Sequence, residues 1–136
     1  MYFSNNIIGN GFIGKNLRKI KKDIIKSNYI IYAAGISNSK IKSKKELKRE
    51  FSLLESYSKK NSSKKFIYIS TADTLDSLKK RNEYVKNKIK IENFIKKKFI
   101  YHIILRLPQI IGKSKNKNTL INYFYYNIKK IGRAHV

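Results

Sequence analysis

The sequence predicts an α/β protein built on an incomplete, doubly wound parallel sheet. Two observations lead to this fold class: short apolar runs alternate with amphipathic segments, and the glycine-rich or polar motifs follow the ends of the apolar runs. Strands that alternate with helices form right-handed βαβ units, and ligands bind beyond the carboxyl ends of such strands. At 136 residues the chain is expected to hold one domain or less.

The beginning of the chain predicts two strands and one helix. Residues 6–8 are a short apolar run that ends at a glycine-rich turn, which is typical of a buried strand. Residues 15–25 carry Leu17 and Ile24 on one helical face and predict a helix. Residues 29–35 predict the second strand, because isoleucines and tyrosines are followed there by small residues.

The middle of the chain predicts a second helix, over residues 45–59, and a third strand, over 66–71. The apolar stripe of this helix is formed by Leu47, Phe51, Leu54 and Tyr57 or Ser58. Its three glutamates, Glu46, Glu50 and Glu55, are interpreted as a solvated face. The helix is therefore expected to bury only its apolar stripe.

The remaining elements follow the same alternation. Residues 72–82 predict a loop, and residues 83–98 predict a helix that carries apolar residues at helical spacing. Residues 102–107 are a strong strand pattern, and a last helix is predicted over 119–130. The sum is four strands and four helices, which is less than a complete doubly wound sheet.

The net charge is +24, with 32 Lys and Arg against 8 Asp and Glu. A balance this basic is typical of proteins that bind nucleic acid or another polyanion. However, Lys, Ile, Asn and Tyr, which A/T-rich codons encode, dominate the composition. The basic residues are mostly dispersed lysines rather than arginines, which are better suited to bidentate contacts. We therefore attribute the charge to codon bias and expect no nucleic-acid partner.

The composition also excludes several kinds of site. The chain has no cysteine and only two histidines, so neither disulfides nor a metal site are expected. No apolar run reaches the ~18 residues of a membrane span, and the start of the chain lacks the features of a secretory signal. The protein is expected to act in the cytoplasm, away from membranes.

The pattern Gly9-x-Gly11-x-x-Gly14 lies between an apolar run and a helix, which is the context of a dinucleotide-binding turn. The first glycine allows the tight turn, the second lets a pyrophosphate approach the backbone, and the third packs the helix on the strand. Half of the six glycines of the chain fall in this motif. The alternative is a glycine-rich turn that binds no ligand.

One expected part of a dinucleotide site is missing. No Asp or Glu follows a second strand about twenty residues after the glycines. The next strand already ends in Ala33, Ala34 and Gly35, so the usual intervening strand and helix are predicted to be deleted. Because the acidic residue reads the ribose 2′-hydroxyl, the sequence does not distinguish NAD from NADP.

Tyr84 and Lys88 are one helical turn apart and share a face. A cation near a phenol favours the tyrosinate, so such a pair can exchange a proton with a substrate hydroxyl. Two later pairs, Tyr125 with Lys129 and Tyr126 with Lys130, have the same spacing, so the spacing alone has little value. Tyr84 is selected because it follows the strand that ends in Ser70-Thr71, where a second hydroxyl can share the substrate oxygen.

In their order along the chain, these parts resemble the extended short-chain dehydrogenase/reductase family, the NAD-dependent epimerase/dehydratases of nucleotide sugars. The matching segments are IIGNGFIGKNL (7–17), YIIYAAG (29–35), FIYISTADT (66–74), YVKNK (84–88) and RLPQIIG (106–112). The resemblance implies a Rossmann-like fold and spans nearly the whole chain.

The resemblance also implies roles for individual residues. Tyr84 is expected to be the catalytic acid/base, with Lys88 holding the nicotinamide ribose and lowering the pKa of the phenol. The catalytic hydroxyl is expected from Thr71, with Ser70 as the close alternative. Pro108 is expected near the nicotinamide, and Gln109 near the substrate. The implied cofactor-binding residues are Gly9, Asn10, Gly11, Phe12, Ile13, Gly14, Ala33, Ala34, Gly35, Lys88 and Pro108.

The implied function is that of an NAD(P)-dependent oxidoreductase, an epimerase/dehydratase or reductase that acts on a nucleotide sugar. NAD or NADP is the implied cofactor, and a homodimer is expected because the family often dimerises. Ser37-Asn38-Ser39 is similar to a short subgroup found among surface-polysaccharide genes, whereas the absent second strand and the short segment before Tyr84 depart from the family. Two other functions remain open: a non-catalytic Rossmann-like nucleotide-binding protein and a basic nucleic-acid binder.

The last six residues, 131–136, differ from the rest of the chain in composition. They bring Gly, Arg, Ala and His together in a sequence that otherwise uses these residues sparingly. One frame of a common sequencing adapter encodes the same hexapeptide. The sequence therefore predicts that residues 1–130 are part of an NAD(P)-binding domain that lacks most of its substrate lobe, and that 131–136 are a non-native tail.

Overall fold

The computed structural model describes residues 6–19, 28–37, 40–108, 124 and 126–130. Within these ranges the chain is an α/β protein with a four-stranded, all-parallel open sheet flanked by helices, consistent with an incomplete Rossmann-like fold. The strands are β1 (Ile7–Ile8), β2 (Tyr29–Tyr32), β3 (Lys65–Thr71) and β4 (His102–Leu107). The helices are α1 (Phe12–Leu17), α2 (Lys44–Asn61) and α3 (Glu83–Lys98). Gln109, Asn38, Ser39 and the tail 131–136 lie outside the described residues.

The strand order is β1-β2-β3-β4, and each neighbouring pair is parallel. The carboxyl ends of all four strands therefore meet at one edge of the sheet. The glycine turn follows β1, Ala33 follows β2, Thr71 ends β3 and Pro108 follows β4. The topology places the predicted site segments on the same edge, as the sequence indicated.

The outer edge of β1 is closed by a side chain. The carbonyl of Ile8 faces β2 and accepts a hydrogen bond at 2.7 Å from the amide of Ala33, the residue that follows β2. Because successive carbonyls of a strand point to opposite sides, the carbonyl of Ile7 faces away from β2. The Arg18 guanidinium donates to that Ile7 carbonyl at 2.9 Å. Among the described residues no strand lies beyond β1, and Arg18 satisfies an oxygen that a further strand otherwise pairs.

The core lies on one face of the sheet, between the strands and helices α2 and α3. Tyr32, Phe66 and Tyr68 project from the strands into this layer and are fully buried. Phe66 stacks on Phe99, just after α3, with ring centroids 4.1 Å apart. The helices contribute Leu54, Ile91 and Ile95 to the same cluster. Burial of these side chains stabilises the layer by about 2–3 kcal/mol each.

Side-chain caps define where the two long helices begin. The Ser43 hydroxyl accepts from the amide of Glu46 at the start of α2, and the Asn82 side chain accepts from the amide of Tyr84 at the start of α3. The predicted bounds of α3 and β4 are confirmed, and α2 is slightly longer than predicted. The predicted loop 72–82 contains two 3₁₀ turns, Ala72–Leu75 and Lys79–Arg81. Across the described residues, no helix combines the length and the apolar character needed to cross a membrane.

Candidate functional site

Two of the three motif glycines are required by the fold itself. Gly9 has a φ of 122°, and a Cβ there would collide with the carbonyl oxygen of Ala33 and lie 2.7 Å from the amide nitrogen of Ala34. A Cβ at Gly14 would collide with the carbonyl of Gly9. The turn therefore packs closely at two points: Gly9 packs on the residues that follow β2, and Gly14 of α1 packs on the backbone of Gly9.

Gly11 differs from its neighbours. A Cβ at Gly11 would have no heavy atom of the described residues within 4 Å, and the residue is exposed. No packing contact explains a glycine at this position. Open space over this backbone is what a pyrophosphate needs in order to approach it.

The segment after β2 connects the glycine turn to the rest of the site. Ala33 contacts Gly9, and Gly35 lies two residues further on. A Cβ at Gly35 would collide with the Nζ of Lys88 and lie 2.9 Å from Oε1 of Glu50. Gly35 thus allows a charged pair to sit directly against the backbone at the sheet edge.

The ammonium of Lys88 is buried in an ion pair. Lys88 is 2% exposed, and its Nζ donates to Oε1 of Glu50 at 2.9 Å and to the hydroxyl of Tyr68 at 3.2 Å. The other oxygen of Glu50 accepts from the Asn87 amide at 2.8 Å. A charged pair this deeply buried needs such additional hydrogen bonds to offset its desolvation. The hydrogen bonds of Lys88 are therefore made to side chains of the chain itself.

The sequence interpretation of Glu50 was wrong. Glu46 and Glu55 are exposed, as expected, but Glu50 is 5% exposed. Glu50 lies three residues after Leu47 and four before Leu54, so it occupies the buried stripe of α2 at helical spacing. That spacing was visible in the sequence, but its partner Lys88 is 38 residues away and could be found only from the packing of α2 on α3.

Tyr84 is half-buried next to this pair. The Lys88 Nζ lies 5.4 Å from the centroid of the Tyr84 ring. Burial raises the pKa of Tyr84 to about 12, and the carboxylates of Glu50 and Asp73 add to the shift. This direction is opposite to the one that the resemblance implies: burial is the main cause, and the ammonium that was expected to favour the tyrosinate is itself paired with Glu50. The phenol is fully protonated at neutral pH.

The two candidate hydroxyls after β3 have different surroundings. Ser70 is buried, and its hydroxyl donates to Oε1 of Glu92 at 2.6 Å. Thr71 is half-buried at the strand end, and its hydroxyl accepts from the amide of Asp73 at 3.3 Å. Ser70 points into the layer beneath α3, so Thr71 is the better placed of the two for a substrate.

Glu92 and Arg106 form a second charged group that the sequence analysis missed. The Arg106 guanidinium donates to both oxygens of Glu92, at 2.7 Å for the shortest contact. Burial alone would raise the pKa of Glu92, but the hydrogen bonds from Arg106 and Ser70 outweigh it and lower the pKa. Glu92 thereby links α3 to Ser70 near the end of β3 and to Arg106 of β4. Nothing in the spacing of these residues pointed to it.

The remaining predicted site residue that the structure describes after β4, and the described residues of the competing Tyr/Lys pairs, are exposed to solvent. Pro108 is exposed at the end of β4, whereas Gln109 lies outside the described residues. Tyr126 and Lys130 of a competing pair are exposed, and Tyr125 is outside the described residues. In the pair Tyr84 and Lys88, the ammonium lies against Gly35, two residues after the Ala33 that contacts Gly9.

Comparisons of the chain with protein-family models, with curated proteins and with solved structures find no match. The resemblance to the extended short-chain dehydrogenase/reductases is carried by the residues alone.

Proposed function

We propose that this chain is the cofactor-binding part of a cytoplasmic NAD(P)-dependent oxidoreductase, of epimerase/dehydratase or reductase type, that acts on a nucleotide sugar. A continuous series of contacts supports the proposal. Gly9 contacts Ala33, Gly35 contacts Lys88, and Lys88 contacts the Tyr84 ring. A glycine turn and a phenol that are 75 residues apart in sequence thereby share one edge of the sheet.

The residues at this edge fit a dinucleotide. The exposed backbone at Gly11 leaves room for the pyrophosphate. The small residues after β2, Ala33 to Gly35, are the ones that the resemblance assigns to the adenosine side. When bound, the nicotinamide supplies the hydride chemistry, and the protein supplies position and proton transfer. The sequence has no Asp or Glu about twenty residues after the glycine motif, where a residue that binds the ribose 2′-hydroxyl is expected. The proposal therefore covers NAD and NADP equally.

The chain itself has two tasks in this proposal. Tyr84, protonated at neutral pH, donates its proton to the substrate oxygen, and Thr71 shares a hydrogen bond with the same oxygen. A raised pKa keeps the phenol protonated at neutral pH but also makes it a weaker acid, so the shift opposes both proton donation to a carbonyl oxygen and formation of the tyrosinate that would accept a proton from a hydroxyl.

Gly11→Ala is expected to weaken binding of NAD(H) or NADP(H) at least tenfold, because the methyl group occupies the space through which a pyrophosphate reaches the backbone. The fold should be unaffected, since the new Cβ meets no protein atom. Titration calorimetry with each dinucleotide measures the affinity, and thermal unfolding checks the fold. Unchanged affinity for both dinucleotides in the variant would contradict the proposed cofactor position.

Tyr84→Phe is expected to reduce turnover on nucleotide sugars by about 10²–10⁴-fold while the affinity for the cofactor stays the same, because only the proton-exchanging oxygen is removed. The measurement is the change in nicotinamide absorbance over a panel of nucleotide sugars. Tyr126→Phe, in the exposed pair of the same spacing, is the matched control and should retain full turnover. Equal turnover in the wild type and in Tyr84→Phe would reject the assignment of the acid/base.

A second function is favoured by a specific observation. Since Lys88 is paired with Glu50 and the pKa of Tyr84 is raised, the chain can also be a non-catalytic protein that keeps the dinucleotide but does not carry out the reaction. Dinucleotide binding that depends on Gly11, together with no turnover of any nucleotide sugar by the wild type, would favour this function over the enzyme.

A further inference from the structure

Two phenols, Tyr68 and Tyr84, lie against the ion pair of Glu50 and Lys88, and a third, Tyr32, packs against Tyr68. Tyr68 accepts a hydrogen bond from Lys88, and the rings of Tyr68 and Tyr84 lie 5.5 and 5.4 Å from its Nζ. Tyr32 is fully buried, and its hydroxyl has no partner among the described residues. The pKa of each of the three tyrosines is raised. Burial is the largest cause in each case, and the negative charge of Glu50 is the second. One carboxylate thus influences the whole polar cluster.

We infer that Glu50 is a positioning residue for the proposed site: it holds Lys88 inside the protein and thereby controls how readily Tyr84 exchanges its proton. The inference rests on the proposed role of Tyr84 and adds a residue to it. Glu50 does not reach a substrate, because it is buried beneath Gly35 and both its oxygens are hydrogen-bonded. It acts through the charge of Lys88.

The groups that face Tyr84 come from each element around it. Glu50 belongs to α2, Asp73 to the turn after β3, Lys88 to α3 and Tyr68 to β3. Asp73 is itself paired with Lys79, at 2.7 Å on the surface, so water screens its effect. Lys88 is the cation next to the ring, and the buried Glu50 cancels its charge. Removing the charge of Glu50 therefore leaves a buried positive charge beside the phenol.

Glu50→Gln preserves the shape and the acceptor oxygen of the side chain but removes its charge. The Tyr84 phenol is then expected to titrate about one to two pH units lower, since a net unit charge at this distance in a protein interior amounts to a few kcal/mol. In Glu50→Gln/Lys88→Met both charges are absent, and the midpoint should stay within about half a unit of the wild type. The wild-type phenol should remain protonated at pH 11.

The experiment follows the ring ¹³C signal of Tyr84 in the full chain from pH 7 to about pH 13, so that the range includes the wild-type midpoint, without any dinucleotide. The signal is assigned from Tyr84→Phe in each background, and near-ultraviolet circular dichroism reports whether each variant is folded. Because no ligand is present, the titration can fail while Gly11-dependent dinucleotide binding persists, and the reverse also holds. The two proposals are therefore tested separately.

A lower midpoint in Glu50→Gln and a return to the wild-type midpoint in the double variant would support the inference. Equal midpoints in the wild type and folded Glu50→Gln would overturn it. If Glu50→Gln does not fold, the double variant decides: a midpoint near that of the wild type supports the role of Lys88. A fall of one unit or more in the double variant shows that Glu50 acts on Tyr84 without Lys88, and overturns it.

Discussion

Lys88→Met is expected to lower the free energy of unfolding by about 3–5 kcal/mol, because it leaves the Glu50 carboxylate buried without a counterion. Both side chains are 3% exposed, so water cannot replace the lost ammonium. Only the Asn87 amide would remain as a partner. Urea denaturation followed by circular dichroism measures the loss.

Lys86→Met is the matched control on the same helix. Lys86 also pairs with a glutamate, Glu83, at 2.8 Å, but both side chains are more than half exposed. An exposed pair of this kind contributes little to stability, because water screens both charges, so Lys86→Met should change the free energy of unfolding far less than Lys88→Met. The double variant Glu50→Leu/Lys88→Met, which leaves no charge buried, should recover most of the stability lost in Lys88→Met. Losses of similar size in Lys86→Met and Lys88→Met would show that the buried pair is not formed.

Gly9→Ala is expected to destabilise the fold by about 3 kcal/mol or more. Its φ of 122° is a conformation that side chains with a Cβ rarely adopt, which costs about 1–3 kcal/mol. In addition, the Cβ meets backbone atoms of Ala33 and Ala34, which cannot move without separating β1 from β2. The loss is measured by thermal and urea unfolding of the variant against the wild type.

Gly11→Ala is the control for this prediction as well, since the two glycines belong to the same turn. The Cβ at Gly11 meets open space, so the free energy of unfolding should change by less than about 0.5 kcal/mol. Stability and the proposed binding are thereby tested separately within one motif: Gly9 is required by the fold, and Gly11 is the glycine to which the proposal assigns contact with the pyrophosphate. Equal destabilisation by the two substitutions would show that the turn is not packed on β2 as described.

The alternation of apolar runs and amphipathic segments was sufficient to predict the α/β class and the parallel order of the motifs. The bounds of α3 and β4 were predicted correctly because Asn82 caps one element, and because the apolar centre of the other, residues 103–105, is followed closely by Pro108. The second strand ends earlier than predicted, at Tyr32, because the chain leaves the ladder where Ala33 approaches Gly9. That approach depends on a contact between segments distant in sequence.

The candidate site was predicted less completely. The positions of the glycine turn, Thr71 and Tyr84 at one edge agree with the sequence analysis, because parallel strands bring their carboxyl ends together. Glu50 was assigned to the solvated face of its helix, since a glutamate among lysines is exposed in most helices. Glu50 is buried because α3 packs against α2 at this position, where Asn87 and Lys88 donate hydrogen bonds to its two carboxylate oxygens.

Local pattern by itself predicted the four strands, their alternation with helices and the edge at which the motif segments meet, although α1 begins at Phe12, three residues before its predicted start. The tertiary structure alone decided the electrostatics of that edge. Lys88 forms an ion pair with Glu50, the pKa of Tyr84 is raised, and the Ser70 hydroxyl is hydrogen-bonded to Glu92 of α3. The physical reason is that periodicity reports which face of an element avoids water, whereas the state of a buried charge depends on the partner that packing brings within hydrogen-bonding distance.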